Sequence, residues 1–257
     1  MNIKLIISFI SFALIFLLET ISPHYKDRRK RFTHAANNLS ITAINNLLYY
    51  ISFSSITLMV MNWAQTYHIG LNHLFTFPSY DVYLKGILIF LLFDLWMYFW
   101  HRINHRIRFF WKLHRTHHSD IQMDITTALR FHPFEILLSS LFRLIIFLLL
   151  GMNMIFLLVY EIALQVIIQF HHSNISLPEK YDRLLRYLIV TPNMHRVHHS
   201  DEWSETNSNY SSIFSFWDRL WSSFRKREDT RTINLGLKLL REDKWQRITG
   251  ILLTPFR

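Results

Sequence analysis

Apolar positions run through this chain in four long blocks, and each block predicts helix rather than strand. Ile3 to Leu18 is almost wholly apolar with a single Lys. Its basic flank is weak, and Glu19-Thr20-Ile21-Ser22-Pro23 lacks a small-residue cleavage pattern, so a retained anchor is expected over a signal peptide. Leu39 to Trp63 is long enough to cross about 30 Å of hydrocarbon. Tyr83 to Trp100 carries one acid, Asp94. Phe134 to Phe170 is too long for one crossing and is broken by Gly151-Met152-Asn153, which predicts a hairpin of two short spans.

Charge tests that layout. Lys26, Arg28, Arg29, Lys30 and Arg31 lie between the first two blocks. Arg102, Arg106, Arg108, Lys112 and Arg115 follow the third, and Lys180, Arg183 and Arg186 follow the fourth. The 64–82 connection holds only Asp81. The positive-inside rule then puts the N-terminus outside and residues 24–38, 101–133 and 171–257 on the cytoplasmic face. The expected location is a bacterial inner membrane or an endoplasmic reticulum membrane. The net charge of +10 is absorbed by this topology and by anionic headgroups, which removes nucleic acid as a partner. With 51% hydrophobic and 18% charged residues the chain is not disordered, and with no cysteine it has neither disulfides nor thiolate metal sites. Residues 226–257 read as an amphipathic tail against the membrane surface.

Histidine carries the chemistry. Eleven of the 15 histidines fall between residues 101 and 199, and ten of these form four clusters. They are His101-Arg-Ile-Asn-His105, His114-Arg-Thr-His117-His118-Ser119, His171-His172-Ser173-Asn174 and His195-Arg-Val-His198-His199-Ser200. On a helix, i and i+4 share a face, and H-x-x-H-H spreads three imidazoles over an arc wide enough to serve two adjacent metals. Imidazole suits Zn, Cu, Fe and Ni. Clusters one, two and four supply eight histidines and the third one or two more, too many for a single four-coordinate structural ion. Two roughly octahedral ions leave a few positions open, which suits iron and O2. His24, His34, His68 and His73 lie outside the clusters and read as headgroup-facing polar residues.

The order HRxxH, HxxHHS, TxLRxHPxE (Thr127–Glu135), HHSN, TPxxHRxHHS and WDRL (Trp217–Leu220) resembles the fatty acid hydroxylase/sterol desaturase superfamily of integral-membrane di-iron oxygenases. The resemblance covers roughly residues 86–225. It implies an all-α integral-membrane bundle with four to five embedded segments and a cytoplasmic helical cap holding the dimetal site. Three regions follow: a transmembrane part at 1–85, a catalytic domain at 86–225 and the tail at 226–257. The implied ligands are His101, His105, His114, His117, His118, His172, His195, His198 and His199. His171 is a candidate tenth, and His132 matches a family position near the site. The family usually ends this motif WDRLFGT, whereas here Trp221-Ser222-Ser223 follow Leu220.

Acids at helical spacing are candidates to support the ligands. Asp94 precedes His101 by seven residues and Glu161 precedes His172 by eleven, so each shares its histidine's face. Asp120, Asp124 and Glu135 lie beside the second cluster. Arg143 is expected to pair with an acid or snorkel. Asn207, Asn209 and Tyr210 are expected to order the loop over the metals, and Trp96 to Trp100 to form an interfacial aromatic belt.

The resemblance implies an O2-dependent lipid monooxygenase, hydroxylase or desaturase, acting on a sterol, fatty acyl or ether lipid. Its cofactors would be two Fe ions, with Zn an alternative on purification. The chain has no CxxC, GxGxxG or haem-attachment motif. Electrons must therefore come from a cytochrome b5-like protein, a ferredoxin or a reduced pterin. A divalent-metal transporter and a di-zinc membrane hydrolase are the competing readings. Transporters favour mid-span ligands, and a hydrolase would include carboxylate ligands.

Overall fold

The computed structural model describes residues 2–27, 30–75 and 81–257. Arg28 and Arg29, two of the basic residues after the first block, lie outside the described residues. Among the described residues there is no β-strand, and three isolated bridges join loops.

Five helices are long and apolar enough to cross a membrane: α1 (Asn2–Ile21), α2 (Arg31–Thr66), α3 (Asp81–Arg106), α5 (Pro133–Leu150) and α6 (Met154–His172). Short α4 (Arg108–His118) follows α3. A cap of α7 (Glu179–Leu185), α8 (Pro192–His198), α9 (Trp203–Thr206), α10 (Phe216–Leu220) and α11 (Ile248–Leu253) follows α6. α1 packs on α6 and α2 on α5. Phe93, Phe147, Tyr160, Met61 and Ile89 fill the space between helices, while Phe9, Leu14, Tyr50, Ile87 and Ile155 are exposed along the outer flanks. Apolar side chains left outside, around a small aromatic interior, are what lipid as solvent permits.

The hairpin break forms as its residues dictate. Gly151 ends α5 in the left-handed region at φ 64°, and the Asn153 carboxamide accepts from the Phe156 amide at 2.9 Å to start α6. The same corner receives the α2–α3 connection. A Cβ on Gly70 would sit 2.2 Å from the Gly151 nitrogen, and Gln65 donates to the Gly151 carbonyl at 3.0 Å.

At the other end of the bundle the last turns of α1, α3 and α6 meet the first turns of α2 and α5. His24 donates its amide to the Asn174 carbonyl at 2.8 Å, which ties the end of α1 to the end of α6. All four histidine clusters lie at this end.

Two features differ from expectation. α2 begins at Arg31 rather than Leu39, and its 36 residues are about 54 Å long at 1.5 Å per residue, well beyond the hydrocarbon thickness. Its first turns therefore extend into the cap. His34 is accordingly buried instead of facing headgroups. Residues 226–257 are in part packed into the protein: Ile233, Leu235, Leu240, Ile251 and Thr254 are buried, while Leu239, Leu253 and Phe256 are exposed. Arg115 donates to the Thr254 carbonyl at 2.7 Å, and Gln246 to the Ser119 carbonyl at 3.0 Å, so this segment braces the second histidine cluster.

Candidate metal centre

The histidines reach one locus from four directions. The end of α3 brings His101 and His105, α4 brings His114, His117 and His118, and the last residue of α6 is His172. α8 brings His195 and His198, with His199 as its C-cap. Thr191 starts α8 by accepting from the Met194 amide, with Pro192 in the first turn.

Among the described residues they form two groups. His101, His105, His114, His118 and His198 make one, and His117, His172, His195 and His199 the other. Within each, one ligand atom per residue lies within 4.8 Å of all the others. The groups touch: the His118 and His199 rings stack with centroids 4.5 Å apart.

Ring nitrogens outside the groups are anchored first. His101 Nδ1 donates to the Tyr210 carbonyl at 2.8 Å, His198 Nδ1 to the Ser208 carbonyl at 2.6 Å and His172 Nδ1 to the Ile168 carbonyl at 2.8 Å. His114 Nδ1 meets the Glu135 carboxylate at 2.7 Å. A carbonyl accepts only from N–H, so in these neutral rings Nε2 is a bare lone pair. Yet His101 Nε2 faces His198 Nε2 at 3.0 Å. Two lone pairs at that distance repel unless a cation lies between them.

The second group repeats the pattern, with His172 Nε2 3.1 Å from His117 Nε2 and 2.9 Å from His195 Nε2. Both nitrogens of His105 and His118, and Nε2 of His114, are buried without a partner. Burial and neighbouring imidazoles push the His117, His118, His195, His198 and His199 rings well below the usual histidine range, so they are neutral at pH 7. Buried, neutral, convergent and unpartnered imidazoles fit two divalent cations.

A cavity of about 210 Å³ opens beside both groups. His101, His117, His172 and His195 line it together with Trp100 from α3 and Leu164 and Ile168 from α6.

Residues 86–223, over half of the chain, match the family model described as fatty acid hydroxylase. The chain belongs to the fatty acid hydroxylase family. It is 25% identical over 231 residues to the ornithine lipid hydroxylase OlsE of Rhizobium tropici, covering 88% of this chain and 68% of that protein. It is 30% identical over 135 residues to the alkylglycerol monooxygenase of Homo sapiens, covering 51% of this chain and 28% of that protein. The sphingolipid C4-hydroxylase sur2 of Schizosaccharomyces pombe is 24% identical over 192 residues, covering 72% of this chain and 61% of that protein. No solved structure matches the chain.

The supporting acids of this family member divide. Glu135 alone reaches one of the grouped histidines. Asp94 is fully buried but accepts from the Tyr160 hydroxyl at 3.0 Å, the Phe214 amide at 3.1 Å and the Trp217 indole at 2.9 Å, not from a histidine. Glu161 pairs with Arg143 at 2.9 Å and with Lys4. Asp120 and Asp124 flank His34, whose Nε2 is 2.8 Å from Asp120 and Nδ1 3.2 Å from Asp124. Burial alone would raise the Asp120 carboxyl, but His34 and then Arg130 outweigh it and hold it below the ordinary carboxylate range.

His171 belongs to neither group and stacks on His195 with centroids 4.1 Å apart. His132 caps α5, accepting from the Phe134 amide through Nδ1, and its Nε2 is 3.2 Å from the Leu252 carbonyl. Within the expected aromatic belt, Tyr98 and Trp100 are buried in protein, and Trp100 lines the cavity.

Of the residues that support the site, Glu19 carries no local signal in the sequence, and Arg130 and Arg196 stand inside the TxLRxHPxE and TPxxHRxHHS motifs without a role that spacing assigns. Glu19 accepts from the Ile125 and Asn174 amides at 3.1 and 3.0 Å. Fully buried Arg130 donates to the Thr116 carbonyl and the Ser119 hydroxyl, and fully buried Arg196 to the Ser173 and Ile175 carbonyls. Asp218 did carry a signal, as the acid of WDRL. It accepts from the Tyr210 and Ser211 amides at 2.7 and 3.0 Å, holding the loop whose carbonyls anchor His101 and His198. Asn209, at φ 54°, donates to the Met194 and Arg225 carbonyls and completes that loop.

Proposed function

We propose that this chain is an O2-dependent monooxygenase of membrane lipids that holds one iron ion in each histidine group. The observation that carries the reading is the pair of imidazoles His101 and His198, whose Nδ1 atoms are committed to backbone carbonyls while their Nε2 lone pairs meet at 3.0 Å. In this reading His101, His105, His114, His118 and His198 hold one ion and His117, His172, His195 and His199 the other. His171 stands beside the second group as a neighbour to His195. Two irons so held supply O2 activation and the removal of hydrogen from an unreactive C–H bond.

The chain's own part is positioning. Carbonyls of Ile168, Ser208 and Tyr210, together with Glu135, fix ring orientation before metal binds. The walls of Trp100, Leu164 and Ile168 accept an acyl chain or sterol body from the bilayer and keep water from the inner end of the cavity. Its relatives' substrates (ornithine lipids, alkylglycerols and sphingolipids) point to a polar-headed lipid for this chain. Residues 86–225 form the catalytic unit in this reading, and 1–85 the membrane anchor. The 226–257 segment is a brace, and the metal end faces the cytoplasm, where the basic residues collect.

A metal transporter would need the groups at mid-span, and a di-zinc hydrolase would draw carboxylates into the groups. Neither feature is present among the described residues. The test is direct. Purified protein should hold about two irons per chain and, with O2 and a reductant, add one oxygen to a lipid or remove two hydrogens. His117→Ala and His198→Ala should abolish product while leaving a membrane-inserted chain. Zinc with lipid hydrolysis, or full activity in either variant, would overturn the reading.

A further inference from the structure

The grouped histidines are nearly all buried, yet hydroxylation needs two electrons from outside: RH + O2 + 2 H⁺ + 2 e⁻ gives ROH + H2O. One aromatic path leads from them to the surface. The Trp111 ring lies 4.9 Å from the His105 ring and 5.4 Å from His118, centroid to centroid. Trp203, on α9, meets Trp111 edge to face at 5.6 Å and is 62% exposed. Trp203 is thus an exposed indole in ring contact with Trp111, which itself touches two of the grouped histidines. These tilted and edge-to-face contacts keep each step between the exposed indole and the His105 and His118 rings at ring-contact distance, with centroids no more than 5.6 Å apart.

The setting of Trp203 defines the partner. Arg108 and Lys112, one turn apart on α4 beside Trp111, are exposed and form no ion pair among the described residues. Of the acids beside Trp203, Glu202 pairs with Lys238 at 3.0 Å and Glu205 with Arg227 at 3.0 Å, while Asp201 is in no ion pair among the described residues. With Arg108 and Lys112 flanking Trp111, Asp201 near Trp203 and the other acids paired, the charges beside the two indoles sum to a net +1 (two cations less one acid), which suits a small transient contact with an acidic partner. We propose that Trp203 and Trp111 form the electron route into the metal centre, and that the docking partner is a one-electron carrier protein with an acidic face. Each of two successive encounters oxidises the carrier by one electron and reduces the metal pair by one. Trp111 and Trp203 bridge the gap without being reduced themselves.

This inference rests on the oxygenase reading, and the test separates the two. Iron-loaded holoenzyme is mixed in stopped flow with reduced cytochrome b5 haem domain, with reduced [2Fe–2S] ferredoxin, or with dithionite. Carrier oxidation is followed in the carrier's own spectrum. For the carrier that reacts with wild type, Trp203→Ala should slow oxidation at least tenfold and Trp203→Phe much less. Lys112→Glu should slow it and flatten its decrease with added salt. Iron content and dithionite reduction should not change.

Several results would overturn the route alone. One is carrier oxidation unaffected in Trp203→Ala while dithionite reduction is normal. Another is an equal loss with both reductants, as a structural defect would give. A third is failure of both carriers to reduce a wild-type site that dithionite reduces. In vesicles of brominated phospholipid, fluorescence quenching that disappears with Trp203→Phe would put this patch in the membrane and also overturn it. A site that takes no electrons even from dithionite would overturn the oxygenase reading and the route together.

Discussion

Glu135 is hydrogen-bonded to a grouped histidine, so its removal isolates what support from outside the histidine groups contributes. Its Oε1 lies 2.7 Å from His114 Nδ1, both groups are buried, and its other oxygen has no partner. Glu135→Ala leaves the His114 N–H without an acceptor and frees the ring to rotate about its side-chain torsions. An unpaired buried donor costs about 1–3 kcal/mol, and at about 1.4 kcal/mol per decade this is a tenfold to hundredfold loss of metal affinity, the range typical of outer partners of ligand histidines. The loss should fall on the group of His101, His105, His114, His118 and His198, leaving the other group filled. Glu135→Gln keeps an acceptor at the same place and should lose roughly tenfold or less. The assay is iron content after equilibration against graded chelator, read per chain. Wild type should release two ions together, whereas Glu135→Ala should release one early and one late. If Glu135→Ala keeps both ions at wild-type affinity, the argument from ring orientation is wrong.

Other perturbations should be equally legible. His34→Ala leaves Asp120 and Asp124 buried without their shared imidazole and should cost about 3 kcal/mol or more, measured by thermal unfolding of the metal-loaded protein. Metal-free protein should lose stability in acid. His117, His118, His195, His198 and His199 titrate lower when folded than the ordinary 6.5, so the unfolded chain binds more protons below that pH. Stability is unaffected by them above about pH 6.5 and falls below it by up to about 1.4 kcal/mol per pH unit for each ring. Asp120 is shifted in the same direction, below its ordinary value, so its contribution is intact above about 3.8 and is lost only below that. Chemical denaturation from pH 8 to pH 4 checks the histidine contribution, and a flat profile between 6.5 and 4.5 would contradict the burial argument. Leu164→Trp fills the cavity wall and should cut oxidation of a long-chain lipid at least about tenfold with iron content unchanged. Equal turnover would put the lipid path elsewhere.

How much of this could be read from residues alone depends on how far each contact reaches along the chain. The apolar blocks gave spans because a helix in lipid satisfies its own backbone. Gly151 and Asn153 gave the hairpin because stop and start signals are local. The histidine clusters were legible for the same reason: i, i+3 and i+4 are one turn. Contacts between distant segments were not. His34 meets Asp120 across 86 residues, and no periodicity announces that α2 overshoots the bilayer, since Asn37, Asn38 and Thr33 look like an ordinary polar flank. Asp94 and Glu161 show the limit most clearly. Spacing put each on its histidine's face, but the partner was decided by the neighbouring segment: Tyr160, Phe214 and Trp217 for one, Arg143 and Lys4 for the other.

The two H-R-x-H-H-S boxes divide their ligands in opposite senses. In the box on α4, His114 and His118 face the first group and His117 the second; in the box on α8, His195 and His199 face the second and His198 the first. On a helix, i+3 and i+4 diverge by about 100°, with i between them, so a box can place two rings on one site and must send the third toward its neighbour. Packing two such boxes against each other makes each site depend on both helices. α4 and α8 are themselves short, and helices of that length are marginal in water without tertiary partners. Neither group can be completed until α8 has brought its histidines to those of α4; Arg196 ties α8 to the carbonyls that follow α6, and Asp218 holds the loop that anchors His101 and His198. In the proposed reading, metal binding and closure of the cap are one cooperative event, because the grouped histidines are crossed between two elements too short to stand alone.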